Sequence, residues 1–366
     1  MPGPLTHLRV LEMAGIGPGP FAGMLLADMG AEVIRVTRPG ATAVLQGSAD
    51  VTLRGRINVE ADLKDERGRE LVRSLAEGAD ALIEGFRPGV MERLGLGPDE
   101  LLARNPRLVY GRMTGYGQEG PLAGVAGHDI NYVSIAGVLG ATRRAGERPM
   151  FALNLVGDYG GGGMLLALGV LGGVVHARAT GEGQVVDAAM VEGASLLATI
   201  VHGLHGQGIW SEEPGTNVLD TGAHFYEVYE TADGGHVSVG ALEPQFYAEL
   251  LGRLQLSPEE LPQWDRAQWP AFKRRLADIF LSRTRDEWVQ LFEGSDACVT
   301  PVLGLFEAPS HPHNSSRGSF VDVDGTTVPA PAPRFSGTPS EPAQATTATP
   351  EEALARWAQS SAARAE

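Results

Sequence analysis

Apolar runs alternate with helix-like stretches along the first third of the chain. Residues 8–13 and 31–36 are apolar enough for buried strands, and between them a Gly/Pro loop leads into a helical stretch at 21–29. The pattern continues in the order helix 65–79, strand 81–85, helix 90–94 and strand 108–113. Strands that alternate with helices predict a parallel sheet, so we expect a large, doubly wound, Rossmann-like α/β domain.

The pattern changes after Asp187. Residues 193–223 are rich in Gly, Ala and His, and they predict a connector. The segments 224–231 and 236–240 flank a polar turn, which is typical of a β-hairpin. Helices predicted from the apolar periodicity complete a smaller α+β domain, and they cover 245–254, 269–281 and 285–292.

These patterns divide the 366 residues into four segments. We expect a large α/β domain over 1–190, a connector over 191–223, and a small α+β domain over 224–310. The last segment, 311–366, contains a second hairpin around Asp324-Gly325 and a helix near 351–358. We expect this segment to return to the large domain.

Charge separates the N-terminal third from the rest of the chain. The formal net charge of -16 argues against a nucleic-acid partner. Residues 1–120, however, carry 14 Lys and Arg against 16 Asp and Glu, so a polyanionic ligand would prefer this part. Lys64 and Lys273 are the two lysines of the sequence, and the other cations are arginines, which bind phosphate in a bidentate manner.

The sequence predicts a cytoplasmic protein that does not cross a membrane. The longest apolar stretch, residues 164–175, is shorter than the ~20 residues that a bilayer span requires. The start, Met1-Pro2-Gly3-Pro4, has neither the cationic region nor the apolar core of a signal peptide. A lone Cys298 agrees with a reducing compartment.

The loop Gly-Ile-Gly-Pro-Gly-Pro at 15–20 follows the first strand, where a dinucleotide-binding loop would lie. Pro18 and Pro20 remove backbone donors that a pyrophosphate would use, and the second strand is followed by Arg38 rather than an acid. The loop therefore disfavours NAD. Arg38 is suited instead to a ribose phosphate, which both NADP and coenzyme A carry.

A histidine and an aspartate stand beside glycines where the chain enters apolar helical runs. His128 opens the stretch 128–139, which has the pattern of a packed helix, and Asp158 precedes four glycines and an apolar run. Such a pair can remove a proton from carbon and return one on the opposite face, and N–H groups at the helix start would stabilise an enolate. Local sequence alone equally allows a structural histidine and a helix N-cap at Asp158.

Seven spaced motifs follow one another along the chain. They are Gly-Ile-Gly-Pro-Gly-Pro at 15–20, Ala-Asp-Leu-Lys at 61–64, Glu-Gly-Phe-Arg-Pro-Gly at 84–89, Met-Thr-Gly-Tyr-Gly at 113–117, Gly-His-Asp-Ile-Asn-Tyr at 127–132, Gly-Asp at 157–158 and Gly-Glu-Gly-Gln-Val-Val-Asp at 181–187. In kind and order they resemble the motifs of the α-methylacyl-CoA racemases, which belong to the family III CoA-transferase superfamily. The resemblance covers nearly the whole chain.

The resemblance implies that the ligand is coenzyme A, held by the large domain. Residues implied for its adenosine and phosphate end are Arg38, Ala61, Asp62, Leu63, Lys64, Gly85, Phe86, Arg87 and Arg93. Residues implied along the pantetheine and thioester are Gly127, Asp129, Ile130, Asn131 and Tyr132. Coenzyme A is then part of the substrate, and no separate organic cofactor is expected.

The resemblance also implies the reaction and the assembly. His128 and Asp158 would exchange the α-proton of a 2-methylacyl-CoA, and Glu243 would orient His128 or raise its basicity. Two chains would interlock as a homodimer of the family III CoA-transferase type. We expect no metal, since the pairs His202 with His205 and His311 with His313 lack a complete set of ligands.

Two other functions stay open at this point. A family III CoA transferase would use Asp158 as a nucleophile that forms a mixed anhydride, although that reaction does not require the imidazole of His128. A non-catalytic acyl-CoA-binding protein would need neither side chain. The acyl chain itself, branched fatty, steroid-like or polyketide-like, is left open.

Overall fold

The computed structural model describes residues 3–40 and 50–362, with the backbone alone for 359–362. Met1 and Pro2, from which the localisation was partly predicted, lie outside these ranges. The strands are β1 Arg9–Met13, β2 Glu32–Thr37, β3 Arg56–Glu60, β4 Ala81–Glu84, β5 Val109–Thr114, β6 Gln184–Ala189, β7 Tyr226–Glu230, β8 His236–Gly240, β9 Val299–Pro301, β10 Phe320–Val323, β11 Thr326–Pro329 and β12 Thr346–Thr347.

The helices are α1 Pro18–Asp28, α2 Glu66–Gly78, α3 Val90–Arg93, α4 Pro98–Arg104, α5 Asp129–Ile135, α6 Val138–Ala141, α7 Leu165–Thr180, α8 Met190–Leu197, α9 Thr199–Gly206, α10 Pro244–Arg253, α11 Trp269–Phe280, α12 Arg285–Phe292, α13 Pro312–Arg317 and α14 Pro350–Ala362. Short 3-10 turns lie at Val51–Leu53, Leu153–Leu155 and Ala308–Ser310. A π-helical segment, Val156–Met164, runs directly into α7 and is called the glycine-rich segment below.

Seven strands form one parallel sheet in the order β12-β3-β2-β1-β4-β5-β6. Each neighbouring pair is parallel, from β12 with β3 to β5 with β6. The chain leaves β1 toward β2 on one side and later places β4 on the other side, which makes the edge beside β1 a topological switch point. The predicted doubly wound α/β class is confirmed, and the carboxyl ends of these strands share one edge.

Alternating strand residues fill two cores, one on each face of the sheet. Val10 and Val33 face α1 and α7, whereas Leu11 and Ile34 face α2 and the side chain of Trp357 in α14. Side chains point to opposite faces with a period of two, so short apolar strands suffice for both cores. The sheet is therefore covered by helices on both sides.

One buried ion pair links three elements beneath the Gly/Pro loop. Arg56 of β3 donates from Nε to Glu12 of β1 over 2.9 Å, and both side chains are at most 1% exposed. The guanidinium also donates to the carbonyl of Pro20 in the first turn of α1. Breaking such a buried pair leaves an uncompensated charge, so the pair fixes where α1 begins.

The helical stretch Leu153–Thr180 is longer than the apolar run read from the sequence. Among the described residues it is the one stretch long and apolar enough to cross a membrane, judged by length and composition, and half of its apolar window lies inside the fold. Leu166, Val170 and Val174 pack in the core against the sheet. A core helix passes the same test, so the predicted absence of a membrane span stays a prediction.

Contacts divide the chain into two compact units. The first comprises Met1–Val138, Ala152–Ala198 and His313–Glu366, and the second comprises Leu139–Phe151 and Thr199–Pro312. In the first unit the tail adds β12 to the edge of the sheet beside β3. The domain boundaries predicted from the sequence stay predictions.

The second unit contains an antiparallel sheet in the order β7-β8-β9. The hairpin β7–β8 occurs where the sequence predicted it, and β9 adds a strand that the sequence analysis did not identify. Aromatic side chains dominate its core, among them Phe225, Trp269, Phe280 and Trp288. The range predicted as a connector, 191–223, includes most of α8 and all of α9, because small residues such as Gly193 permit close helix packing.

Candidate active site

The carboxyl group of Asp158 lies at the carboxyl edge of the sheet, beside the loop after β1. A Cβ at Gly17, the residue before α1, would lie 3.1 Å from Asp158 Oδ2. Gly17 has a φ of 67°, a left-handed conformation that favours glycine. Asn154 donates from Nδ2 to the same oxygen over 3.0 Å. Asp158 is therefore held within its segment and is not the helix N-cap that local sequence allowed; Leu155 has that position.

Close backbone packing explains the run of glycines after Asp158. A Cβ at Gly161 would lie 2.6 Å from the backbone nitrogen of Ala194 in α8. A Cβ at Gly163 would lie 2.7 Å from the carbonyl oxygen of Pro18 in α1. The glycine-rich segment thus packs backbone to backbone between α1 and α8, where a larger residue would push Asp158 out of place.

His128 is the N-cap of α5 and is exposed. Asn131 Oδ1 accepts the backbone N–H of His128 over 3.1 Å, and the hydroxyl of Tyr132 donates to the carbonyl of Gly127. Side chains of the Gly-His-Asp-Ile-Asn-Tyr motif therefore hold the backbone of its own first two residues, Gly127 and His128. Its helix is shorter than the predicted 128–139, because Gly137 has a φ of 79°, and Ile130 and Ile135 are 43% and 62% exposed rather than packed.

The structure brings the two predicted proton-transfer residues into electrostatic contact. Burial raises the pKa of Asp158, whereas the hydrogen bond from Asn154 and the charge of a protonated His128 lower it. His128 therefore lies close enough for its charge to act on the carboxyl group of Asp158. The arrangement can accept a proton at one group while donating one from the other.

Asp129 follows His128 and is 3% exposed. Its Oδ2 accepts the backbone N–H of Asp158 over 2.5 Å. Burial raises the pKa of Asp129, and the charge of Asp158 raises it further, although hydrogen bonds from the backbone of Asp158 and Gly157 lower it. The side chain that the resemblance assigned to coenzyme A is thus directed into the protein, toward Asp158.

Residues implied for coenzyme A follow the ends of β2 and β3. Arg38 is exposed just after β2, and Lys64 is exposed after β3. Ala61 is buried, Asp62 accepts the N–H of Lys64 over 2.9 Å, and Leu63 packs against the core. Neighbouring parallel strands end at one edge, so these residues lie along the same edge as Asp158.

The turn after β4 extends this edge. Gly85 and Arg87 are exposed, Phe86 packs partly against the core, and Arg93 is exposed at the end of α3. Burial raises the pKa of Tyr132 to about 12, and among smaller effects the charge of Arg87 lowers it, which places the turn near the histidine motif. Each of these candidates lies in the first unit.

Glu84, which the sequence analysis did not single out as a site residue, holds the base of the turn after β4. Its Oε2 accepts the N–H of Phe86 over 2.7 Å, and Arg112 donates to Oε1 over 3.2 Å. Burial raises the pKa of Glu84 to about 7, against the lowering effects of Phe86 and Arg112. An acid at the end of an apolar strand, followed by glycine, was the available sequence signal.

Glu243 lies in the second unit, as the N-cap before the proline that begins α10. Its side chain is exposed and makes no capping hydrogen bond. Its action on His128 stays a prediction. Within residues 3–40 and 50–362 no group of three or more His, Cys, Asp or Glu side chains could hold a metal ion.

Asn154 is a second residue that the sequence analysis missed. It precedes Asp158 by four residues and lies in the 3-10 turn Leu153–Leu155, where its backbone is not helical (φ -88°, ψ 33°). No sequence signal marks this contact, because the helix begins only after its N-cap Leu155 and helical periodicity does not reach Asn154.

Comparison with known proteins identifies the family. The model of CoA-transferase family III matches residues 5–351. α-Methylacyl-CoA racemase of Mus musculus is 48% identical over 341 residues, which cover 92% of this chain and 88% of the mouse protein. The Homo sapiens racemase is 45% identical over 340 residues, with 92% and 88% covered.

A solved structure agrees with the fold. The crystal structure of Rv3272 from M. tuberculosis superposes with a TM-score of 0.77 at 28% identity, covering 95% of this chain and 98% of the other. The resemblance drawn from the spaced motifs is thereby confirmed. The α/β fold is confirmed as that of the family.

Proposed function

The chain belongs to CoA-transferase family III, and from this premise we propose that it is an α-methylacyl-CoA racemase, which inverts C2 of 2-methylacyl-CoA thioesters. The observation that carries the proposal is that Asp129, the residue after His128, accepts the backbone N–H of Asp158 over 2.5 Å, which joins the two motifs that bear the proposed pair. Relatives at 45% and 48% identity that carry this name support it.

The proposed reaction exchanges one proton. Neutral His128 removes the proton from C2, and the electron pair of the C–H bond moves into the thioester to give an enolate. Protonated Asp158 then donates its proton to C2 from the opposite face. The reverse reaction starts from protonated His128 and ionised Asp158, so both directions use the singly protonated pair. Burial raises the pKa of Asp158, as a proton donor requires.

Coenzyme A would bind along the edge formed by β2, β3 and β4. Exposed Arg38, Lys64 and Arg87 provide positive charge for its phosphates. Glu243 would orient His128 or raise its basicity. No step of this scheme uses a metal or an organic cofactor.

We also propose a homodimer. Apolar side chains of α7 and α8 are strongly exposed, among them Leu168 at 67%, Val175 at 70% and Leu197 at 56%. Such a face is unusual for a monomer. Light scattering of the purified chain should give twice the subunit mass of 38.6 kDa, and a mass of one subunit would contradict the dimer.

The test uses 2-methylacyl-CoA in deuterated water, with no acceptor acid added. A racemase incorporates solvent deuterium at C2 while the thioester stays intact. His205→Ala, a substitution of an exposed histidine in α9, is the matched control for His128→Ala and should retain incorporation. If C2 keeps its protium and hydroxylamine leaves a hydroxamate on Asp158, the chain is a CoA transferase. If neither occurs, it binds acyl-CoA without catalysis.

A further inference from the structure

The carboxylate of Asp129, in α5, accepts a hydrogen bond from the backbone of the glycine-rich segment. Asp129 is the first residue of α5, next to His128, and its side chain is 3% exposed. Its Oδ2 accepts the N–H of Asp158 over 2.5 Å, and the N–H of Gly157 interacts with the same carboxylate. The residue after the imidazole therefore holds the backbone of the residue that bears the opposing carboxyl.

The Asp129 carboxylate leaves no room for a side chain at position 157. A Cβ at Gly157 would lie 2.6 Å from Asp129 Oδ2, and the three nearest atoms all belong to the carboxyl group of Asp129. Gly157 is not among the glycines with a positive φ, so its backbone conformation does not itself require glycine. The glycine of the Gly-Asp motif at 157–158 is therefore explained by the close contact with the Asp129 carboxylate.

The start of the glycine-rich segment needs an acceptor from outside. The first N–H groups of a helix have no partner within it, and Leu155, at the N-cap, provides no side-chain hydrogen bond. Gly157 and Asp158 lie in this first turn. Asp129 supplies the missing acceptor, and without it the turn that carries Asp158 loses its attachment to the histidine motif.

We propose that Asp129 is a positioning residue, whose carboxylate fixes the backbone of Asp158 and thereby the distance between the Asp158 carboxyl and His128. The proposal rests on the proposed proton exchange between those two groups. It replaces the role along coenzyme A that the resemblance implied for this side chain. A buried side chain, whose Oδ1 has no hydrogen-bond partner among the described residues, offers little surface to a ligand.

The first experiment compares Asp129→Ala with Asp129→Asn by deuterium incorporation. Loss of the acceptor should lower kcat by about 10²-fold, since small displacements of reacting groups have effects of that size. KM for the acyl-CoA should stay within about threefold, because a positioning role leaves ligand contacts intact. Asp129→Asn keeps an acceptor oxygen and should restore kcat to within about tenfold of the wild type.

The second experiment is a double-mutant cycle with Gly157→Ala. In the wild-type background the new methyl group meets the Asp129 carboxylate, so both kcat and the melting temperature should fall. In the Asp129→Ala background the obstructing atoms are gone, and Gly157→Ala should change little. Coupled residues give such non-additive effects, whereas independent ones add.

Either of two results would overturn the proposal. Asp129→Ala with unchanged kcat and a raised KM would make Asp129 a ligand-binding residue. Additive losses in the cycle would show that Gly157 and Asp129 act separately. If the wild-type chain incorporates no deuterium, the proposed function fails instead, and the melting temperatures still report whether Asp129 holds the Gly157 turn.

Discussion

Half-buried Asp158 in the first unit and fully buried His224 in the second unit are both ionisable groups whose pKa is shifted toward the neutral form. Burial raises the pKa of Asp158 and lowers the pKa of His224 to about 4. His224 is fully buried, and its ring lies 5.1–5.4 Å from the rings of Phe225, Tyr247 and Phe272. Its Nε2 is 2.6 Å from the hydroxyl of Tyr247. The same physical effect thus acts at two different sites.

The surroundings separate the two groups. Aromatic rings enclose His224, and burial is what lowers its pKa. Asp158 is half-buried and precedes a run of glycines, and the charge of a protonated His128 lowers its pKa. A shifted pKa alone therefore marks burial. The proposed catalytic role of Asp158 depends in addition on the charge of His128 nearby.

The largest expected effect is the loss of activity in Asp158→Asn without loss of the folded structure. Asp158→Asn should lower deuterium incorporation at C2 by 10²–10⁴-fold, roughly the contribution of one general acid–base group, while circular dichroism stays unchanged. His224→Phe should retain the rate, since a ring of similar size fills the same place. A comparable loss of activity in His224→Phe would erase the distinction between the two sites.

The second prediction concerns the pH dependence of stability at His224. Its pKa is lowered from 6.5 to about 4 in the folded chain, so the unfolded chain binds the proton more tightly. The stability present above pH 6.5 is lost as the pH falls toward 4, by about 3 kcal/mol. Urea unfolding at pH 7 and pH 4.5 measures this loss.

His224→Phe is the control, because it cannot titrate. The free energy of unfolding of the variant should fall less over the same pH range than that of the wild type. Equal falls in both proteins would mean that His224 is not the group responsible.

The third prediction extends the comparison to exposed arginines. Arg38→Ala in the first unit should weaken coenzyme A binding by about 1–2 kcal/mol, through loss of one charge-assisted contact to a phosphate. Arg274→Ala, which removes an exposed arginine from α11 in the second unit, should change binding little. Calorimetric titration with coenzyme A and its 3′-dephospho analogue tests both, and equal losses for the two ligands would remove Arg38 from phosphate recognition.

The sequence predicted strands and helices of the large domain and indicated His128 and Asp158 as a pair. It did not predict the hydrogen bonds that hold Asp158 in place. Strand positions such as 8–13 followed from apolar runs, and β1 is observed at Arg9–Met13. His128 and Asp158 were recognisable because each stands in a short motif. The hydrogen bond between Asp129 and Asp158 depends on where α5 meets the glycine-rich segment, and the bond from Asn154 depends on a non-helical turn before that segment. The exposure of Ile130 depends on neighbours distant in sequence. Periodicity carries no information about such contacts.

The smallest expected effect has the opposite sign to that at His224. The folded pKa of Asp158 is raised, so its stabilising contribution is present below the unfolded pKa of an aspartate and is lost as the pH rises through the folded pKa. At pH 8 the ionised carboxyl is therefore unfavourable, and Asp158→Asn should increase the free energy of unfolding by about 0.5–2 kcal/mol. Asn154 can still donate to the new amide oxygen, so the substitution removes the charge and not the hydrogen bond. Urea unfolding at pH 8 measures the gain. A variant less stable than the wild type would show that Asp158, like His224, serves mainly to hold the fold.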